Sequence, residues 1–544
     1  MVRGGVPDTI DLKDAVEREQ ILAILEAVRE TPSDEWDLMA LLRRFPHGDG
    51  SYAKSQLLSA YRRLVKEGTL TVSPLIERRL RGRPVRTISG LAPVAVLTEP
   101  HPCPGECIFC PEQDDAPKSY LDGEPGVLRA LQNAYDPYRQ TAGRIEALEA
   151  IGHATDKIEL LVLGGTWSAY PEPYQSEFLR RCFDAMNEAP SDTLEEALER
   201  NELAPHRNVG LVIETRPDHV TPEEVLRLRR QGVTKVQLGA QSMDDHILDL
   251  NCRGHSLDDT RRAIRLLRLG GFKIVLHWMP NLYGATPESD LEDFARIFSD
   301  PAIRPDEMKI YPTALLEGTG LYRLWEQGRY APYPEARLVE LLASCKDLVA
   351  PYCRINRVMR DIPADYIVAG TTKSNLRQIV QQQMARQGRQ CACIRCREVR
   401  GAHAVDVDTV SLDVITYETG ATTEQFLQYL TPEGRLAGFL RLSLPPAPRD
   451  ELPIPEIQRA AMIREVHVYG PAQMLAGKTG YQSVQHRGLG TRLLEEAAER
   501  ARAAGYDALA VIAAVGTRVY YRERGFTEGD LYPTLSLQEA GRRS

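Results

Sequence analysis

Short apolar runs alternate with amphipathic stretches through the middle of the chain, from residue 94 to about residue 362. The runs are rich in Val, Ile and Leu, as parallel strands buried on both faces are. They begin at Val94, Lys157, Asn208, Lys235, Lys273 and Met308. Because helical stretches separate them, the pattern predicts an α/β fold with a partial parallel (β/α)6 barrel.

The first 90 residues have apolar residues at helical spacing instead. A glycine-containing break at 48–50 separates two stripes, which comprise Trp36, Leu38, Leu41 and Leu42, and Leu57, Leu58, Tyr61, Leu64 and Val65. We expect a small N-terminal helical domain of the helix-turn-helix or winged-helix type over residues 1–90.

A second α/β pattern occupies residues 405–544. It contains a hairpin that turns at Pro432 and Gly434, a strand from Arg464, a helix that follows a glycine-rich turn, and a strand near Ala508. Residues 363–404 lack this alternation and are predicted to be a linker. The predicted division is therefore 1–90, a barrel over 91–362, the linker over 363–404, and a C-terminal domain over 405–544.

Composition narrows the classes of function. The 544 residues are 43% hydrophobic and 26% charged, with a formal net charge of -9. The N-terminal residues lack an apolar signal core, and no stretch approaches the roughly 18 apolar residues of a membrane span. We expect a cytoplasmic protein without a membrane partner, and self-association stays open.

A net negative chain can bind nucleic acid only through a local basic patch. One run of arginines qualifies, and we predict that it contacts RNA phosphates. The alternative is a solvated charged face. The run comprises Arg78, Arg79, Arg81, Arg83 and Arg86.

Cys103, Cys107 and Cys110 form a C-x3-C-x2-C motif directly after the first predicted strand. Three thiolates can ligate three irons of a [4Fe–4S] cluster and leave the fourth iron open. The alternative is a zinc site without its fourth ligand. The spacing and position of these cysteines resemble those of the radical S-adenosylmethionine superfamily. That resemblance implies S-adenosylmethionine as a second cofactor.

The active sites of such barrels lie at the C-terminal ends of the strands. Glycines there let the backbone approach a ligand closely, and polar side chains can contact it. The superfamily usually has an acidic residue where Thr166 stands. Each polar residue could instead be a satisfied core group. The candidate S-adenosylmethionine contacts are Gly164, Gly165, Thr166, Glu214, Arg216 and Gln237.

The segment 485–490 matches Q/R-x-x-G-x-G/A between a strand and a helix, where backbone N–H groups bind a pyrophosphate. With the late pair Tyr520 and Tyr521, it resembles the GNAT acetyltransferases. That resemblance implies acetyl-CoA and a tyrosine that protonates the leaving thiolate. The alternative is a structural turn with core tyrosines.

Cys391, Cys393 and Cys396 form a second motif, C-x-C-x2-C, which predicts a structural zinc site. His403 and Cys353 are candidates for the fourth ligand, and free thiols are the alternative. The isolated thiols are expected in the core. They are Cys182, Cys252 and Cys345.

A radical S-adenosylmethionine barrel followed by a GNAT domain resembles the family of the Elongator catalytic subunit, which modifies the wobble uridine of tRNA. Matching motifs occur at 83–87, 214–218, 251–255, 309–313, 360–363 and 465–470. The short spacing of the first cysteines suggests a bacterial-type member. The implied acetyl-CoA contacts are Lys157, Glu465, Val466, His467, Val468, Gln485, Gly488, Leu489, Gly490, Thr491 and Tyr521.

This resemblance implies an acyltransferase, with Tyr520, Tyr521 and Lys157 as catalytic candidates. A radical made from S-adenosylmethionine would activate the methyl group of acetyl-CoA, which would add to C5 of the uridine of a tRNA anticodon stem-loop. Thioester hydrolysis would then leave 5-carboxymethyluridine. Two alternatives stay open: a protein lysine N-acetyltransferase with a structural barrel, and a non-catalytic tRNA-binding scaffold.

Overall fold

The computed structural model describes residues 10–32, 35–45, 51–82, 90–400, 408–469 and 488–538. Helices alone form the described part of the N-terminal region. They are α1 (Ala15–Glu30), α2 (Leu38–Leu42), α3 (Lys54–Lys66) and α4 (Pro74–Leu80). The side chains of Asp14 and Ser73 cap α1 and α4. The apolar faces share one core. No strand of a winged helix occurs among these described residues.

The central region alternates strands and helices as the pattern predicts. Its elements are β1 (Ala92–Leu97), α5 (Pro125–Gln132), α6 (Pro137–Ala150), β2 (Lys157–Leu163), α7 (Glu172–Asn187), α8 (Leu194–Asn201), β3 (Arg207–Thr215), α9 (Pro222–Arg230), β4 (Lys235–Gln241), α10 (Asp245–Leu250), α11 (Leu257–Leu269), β5 (Lys273–Trp278), α12 (Pro287–Ser299), β6 (Glu307–Ile310), β7 (Leu315–Leu316), α13 (Gly320–Glu326), α14 (Glu335–Asp347), β8 (Arg354–Arg357), β9 (Ile367–Ala369), α15 (Leu376–Arg386) and α16 (Ile394–Arg397).

The main sheet is parallel throughout, in the order β1-β2-β3-β4-β5-β6-β8. The six predicted strands are confirmed. The seventh, β8, was missed because only Ile355 among its four residues is apolar. Since β1 and β8 are the two edges, the barrel is not closed.

Residues 363–386 do not stand apart from the barrel. The short strand β9 pairs with β7 in a separate two-stranded sheet. Leu376, Val380 and Met384 of α15 lie in the barrel core. Cys182 and Cys345 are buried there too, as expected of core thiols, whereas Cys252 is exposed, so its predicted core position is wrong.

The C-terminal region forms a second sheet of six strands in sequence order. Its elements are β10 (Ser411–Glu418), β11 (Thr423–Leu430), β12 (Leu436–Leu444), β13 (Ala460–Val468), α17 (Leu489–Ala503), β14 (Ala508–Val511), α18 (Arg518–Arg522) and β15 (Thr534–Ser536). The predicted hairpin is β11–β12, with Gly434 in a left-handed conformation at its turn. Only β13 and β14 pair in parallel.

A buried ionic cluster joins the two sheets. Asp306, directly before β6, has no exposed side-chain area and pairs with Arg464 of β13 and Arg441 of β12. Arg464 also donates to Glu424 of β11 at 2.9 Å. Although burial opposes its ionisation, these guanidinium groups and Arg268 hold the pKa of Asp306 at about 2. The C-terminal sheet therefore packs against the N-terminal ends of the barrel strands. No helix in the described part of the chain is both long and apolar enough to cross a bilayer.

Candidate active site

The first cysteine motif lies in the loop after β1, at the C-terminal end of the parallel sheet. Cys103 Sγ is 3.9 Å from Thr166 Oγ1, and the Gly105 N–H points at the same sulfur at 3.5 Å. Arg253 Nη1 donates to Cys107 Sγ at 3.3 Å. Burial and the neighbouring Cys107 raise the pKa of Cys110 to about 12, so this thiol needs a metal to become a thiolate ligand.

The thiols of this loop are not gathered as the ligands of one zinc ion are. Zinc with Zn–S bonds of about 2.3 Å brings its sulfurs to about 3.8 Å from one another. Among the described residues, the group of three ligand atoms within 4.8 Å of one another is Cys391, Cys393 and Cys396. The three thiols of the loop after β1 do not form such a group.

Gly164 and Gly165 turn the chain at the end of β2 towards the cysteine loop. Their φ angles of 136° and 103° are unfavourable for other residues. A Cβ on Gly164 would lie 1.9 Å from Thr98 Oγ1, so the close approach of β1 and β2 also requires glycine. The turn places Thr166 beside Cys103.

A polar group occupies the mouth of the barrel. Glu214 accepts a hydrogen bond from Tyr120 Oη at 2.8 Å and pairs with Lys309 Nζ at 3.3 Å. Gln237 Oε1 lies 3.0 Å from Nε2 of His277, whose pKa is held well below its usual value by burial and by Lys309. The mouth is therefore lined by a carboxylate, a cation and a neutral imidazole. Since Gln237 is satisfied by His277, its contact with S-adenosylmethionine stays a prediction.

Arg216 does not join that group. Its guanidinium pairs with Asp218 at 3.0 Å and donates from Nη2 to the Arg253 carbonyl at 2.9 Å. It thereby packs against Gly105 in the cysteine loop. The residue lies at the predicted end of β3, but its side chain faces the cysteines.

Sequence reasoning missed three residues at this end. Arg253 and Arg360 lie in motifs that carried the family resemblance, and that was the available signal. Arg360 packs over the Tyr120 ring at 4.8 Å and pairs with Glu124 at 2.8 Å, so it holds the loop that follows the cysteines. Tyr120 itself had no sequence signal.

The candidate acetyl-CoA residues meet where β13 and β14 separate. The two strands pair only as far as Ile463 and Val511, and β13 continues to Val468. On its other side, β13 stays paired with β12, where a bulge at Arg464 increases the twist. The backbone edge of 464–468, which includes Val466 and His467, is therefore turned away from β14, as a strand-like ligand arm requires.

The start of α17 and the two tyrosines close this opening. A Cβ on Gly490 would be 2.7 Å from Tyr520 Oη and 4.0 Å from Val468. Tyr520 and Tyr521 contact each other edge to face, and burial raises the pKa of Tyr521. Gly488 is the N-cap of α17 and offers no side chain, so its first N–H groups are not side-chain capped. Leu489 is buried, and Gln485 lies outside the described residues.

Two other candidates lie where the barrel meets the C-terminal sheet. Lys157 opens β2 and is in register with Arg207, against which the turn at Gly516 packs. Burial lowers the pKa of Lys157. Glu465, in contrast, turns its carboxylate to Lys273 at 3.3 Å and Arg441 at 2.9 Å. Only its backbone is available to acetyl-CoA, because its side chain belongs to the interface between the sheets.

The second cysteine motif is compact. The sulfurs of Cys391, Cys393 and Cys396 lie within 4.8 Å of one another, as one metal ion requires. Lys346 Nζ is 3.9 Å from Cys396 Sγ, and Gln381 Nε2 is 3.7 Å from it. Cys353 lies outside this compact group, and His403 lies outside the described residues.

The basic run divides at Arg79. Its guanidinium is buried, donates to the Val28 carbonyl at 2.6 Å and stacks over Trp36 at 4.5 Å. Arg79 therefore stabilises the helical domain. Its buried guanidinium is not placed for the predicted contact with a phosphate. Arg78 is exposed and Arg81 is partly exposed. Arg83 and Arg86 lie outside the described residues.

Known proteins resemble this chain over most of its length. The model of the radical SAM superfamily matches residues 101–297, and that of the Radical_SAM C-terminal domain matches residues 305–386. A tRNA uridine(34) acetyltransferase from Dehalococcoides mccartyi is 44% identical over 81% of this chain and 96% of its own length. Elongator complex protein 3 of Danio rerio is 38% identical over 82% of this chain and 84% of its own length.

A solved structure supports the same relationship. The archaeal Methanocaldococcus infernus Elp3 with an N-terminal deletion has a TM-score of 0.71 at 37% identity, and the match covers 83% of this chain and 100% of that chain. Sequence and fold thus agree over the barrel and most of the chain. The chain belongs to the family of tRNA uridine(34) acetyltransferases and Elongator complex protein 3, whose members share its radical SAM barrel.

Proposed function

We propose that this protein modifies C5 of the wobble uridine of tRNA, with acetyl-CoA as the acyl donor and S-adenosylmethionine as the radical source. The observation that carries the proposal is the pairing of two sites in one body. A three-cysteine loop lies at the C-terminal ends of the barrel strands, and a separated strand pair lies at their N-terminal ends. Each site serves one half of such a reaction.

Cys103, Cys107 and Cys110 would hold a [4Fe–4S] cluster. When bound, the cluster supplies the electron that cleaves S-adenosylmethionine into methionine and a 5′-deoxyadenosyl radical. Gly164 and Gly165 would admit the methionyl part, and Glu214 with its partners would bind the nucleoside part. The partly closed barrel would keep water from the reacting atoms.

The opening between β13 and β14 would bind acetyl-CoA. The N–H groups at the start of α17 suit a pyrophosphate, and the edge of β13 that separates from β14 suits the pantetheine arm. Tyr521 would protonate the leaving thiolate, since its raised pKa keeps the hydroxyl protonated. Lys157 and Tyr520 would position the thioester.

The N-terminal helices would hold the anticodon stem-loop. Arg78 and Arg81 remain as phosphate contacts, together with Arg83 and Arg86 from the sequence. The compact thiols of Cys391, Cys393 and Cys396 would hold a structural zinc ion. In these roles the chain would be a cytoplasmic carboxymethyluridine synthase.

Nucleoside mass spectrometry tests the proposal. Anaerobically reconstituted protein is incubated with tRNA, acetyl-CoA, S-adenosylmethionine and a reductant, and 5-carboxymethyluridine is expected only when all are present. Unmodified tRNA alongside acetylated lysine peptides would favour the lysine acetyltransferase instead. tRNA binding without acetyl-CoA hydrolysis would favour the scaffold.

A further inference from the structure

Arg216 has one buried donor that nothing in the described protein accepts. The residue is 3% exposed, and Nε and Nη2 are bound to Asp218 and to the Arg253 carbonyl. Nη1 has no hydrogen-bond partner. A buried guanidinium N–H without an acceptor is costly. Other buried arginines of the chain also have such a nitrogen, so the position of this one beside the cysteine loop is what points to a ligand.

The position of Nη1 shows where that ligand would lie. A Cβ on Gly105 would be 2.0 Å from Nη1 and 3.6 Å from Cys107 Sγ. The donor therefore lies against the loop between the first two cysteines, and only a glycine there leaves it room. Gly254 borders the other side of the guanidinium, where a Cβ would be 3.4 Å from Nη2.

A second guanidinium group, that of Arg253, faces the same loop. Arg253 Nη1 donates to Cys107 Sγ at 3.3 Å, and its remaining donors bind the Gly239 carbonyl. Among the described residues, Arg253 makes no ion pair with a carboxylate. Two guanidinium groups thus face the cysteine loop, and Asp218 offsets the charge of one of them.

We propose that Arg216 donates Nη1–H to a sulfur of the bound cluster and, with Arg253, raises the reduction potential of that cluster. The inference rests on the proposed cluster site and adds a role for Arg216 other than contact with S-adenosylmethionine. Reduction adds one negative charge to the cluster, so nearby cations and N–H donors stabilise the reduced form. Asp218 acts in the opposite direction, because its carboxylate reduces the positive potential at the sulfur.

Two variants with opposite expected shifts test this. The double variant Arg216→Gln/Asp218→Asn removes the cation and avoids an unpaired carboxylate. Asp218→Asn alone keeps the cation and removes its counter-charge. Arg262→Gln, whose pair with Asp259 lies on the exposed face of α11, is the matched control.

The readout is the midpoint potential of the reconstituted cluster, followed by electron paramagnetic resonance without S-adenosylmethionine. In the double variant, we expect a roughly tenfold lower ratio of reduced to oxidised cluster at a fixed potential, which is about 59 mV for one electron. Asp218→Asn should shift the midpoint upwards, and Arg262→Gln should leave it unchanged.

Other outcomes are decisive as well. A double variant that holds a full cluster with the wild-type midpoint overturns the inference. A midpoint that is unchanged while S-adenosylmethionine binding weakens assigns Arg216 to that ligand and also overturns it. If the double variant loses the cluster, Asp218→Asn decides alone, because an unchanged midpoint there contradicts the inference. Wild-type protein that retains no iron and sulfide contradicts the proposed function instead.

Discussion

At the N-terminal ends of β5 and β6, cations are paired with carboxylates. Asp306 and Glu424 lie among Arg268, Arg441 and Arg464, and all five side chains are excluded from solvent. At the C-terminal end of β3 the buried cation Arg216 has a donor without an acceptor. Arg268, Arg441 and Arg464 also have guanidinium nitrogens without a hydrogen-bond partner, but ion pairs within the chain balance their charges. The unpartnered donor of Arg216 differs in its position, because it lies against the cysteine loop.

This contrast separates stability from chemistry. Buried ions that are mutually paired fix how two sheets pack, and loss of one partner leaves an uncompensated charge. A buried donor without a partner needs an explanation, and a bound ligand is one that fits a donor facing the cysteine loop. The N-terminal strand ends should therefore respond to mutation in stability, and the C-terminal ends in cofactor content.

Cys107→Ala should have the largest effect. Loss of one of three thiolates should reduce the iron bound after anaerobic reconstitution to background, because three ligands are the minimum for this cluster. The measurement is iron and acid-labile sulfide per chain. Cys252→Ala is the control, since that thiol is exposed outside the motif. Full iron content in Cys107→Ala would contradict the assignment.

Asp306→Asn should destabilise the protein by about 3–5 kcal/mol, since three buried guanidinium groups would lose the carboxylate that they share. Denaturant titration gives the free energy of unfolding. The matched control is Asp258→Asn, because Asp258 pairs with Arg261 on the surface and should contribute less than about 1 kcal/mol. A loss below about 1 kcal/mol for Asp306→Asn would show that the interface does not depend on this carboxylate.

The pH dependence of stability tests the same ion pairs of Asp306. The pKa of Asp306 is about 2 in the folded protein and about 3.9 in an unfolded chain. Its contribution is therefore fully present above the unfolded value and is lost as pH falls through the folded one. The stability difference between wild type and Asp306→Asn should shrink by about 2 kcal/mol from pH 6 to pH 2. A stability difference that does not change with pH would show that the ionisation of Asp306 does not contribute to stability.

Tyr521→Phe should have a smaller effect, confined to chemistry at the C-terminal domain. Removal of a general acid should slow acetyl-CoA hydrolysis about 100-fold and leave acetyl-CoA affinity unchanged. Hydrolysis in the presence of tRNA and isothermal titration measure the two quantities. Tyr506→Phe is the control, because that hydroxyl binds the Pro445 carbonyl away from the opening. Equal hydrolysis rates in both variants would show that another residue is the general acid.

The sequence was sufficient for regular elements with strong patterns. The six apolar strands and the cysteine loop were predicted because their signals are local. The strand β8 was not, since its polar residues belong to a strand only through pairing with β6. Neighbouring arginines also look alike in sequence. Arg78 is exposed and Arg79 is buried, and this depends on which side of α4 faces α1.

Site residues followed the same rule. The cysteines were identifiable from spacing, but Tyr120 reaches Glu214 across 94 positions of sequence. Arg216 was placed at the correct strand end, yet the side chain turned towards the cysteines because Asp218 and the Arg253 carbonyl hold it there. Long-range partners determine where such side chains point.

The strand β2 separates a candidate residue at its first position from another just after its last. Lys157 is its first residue, and Gly164 follows its last. Seven residue steps of about 3.3 Å separate them by roughly 23 Å. Bond formation requires reacting atoms about 3–3.5 Å apart, so neither strand end can act on a molecule held rigidly at the other. In the proposed reaction, the flexible pantetheine arm of acetyl-CoA would have to cover the remaining distance.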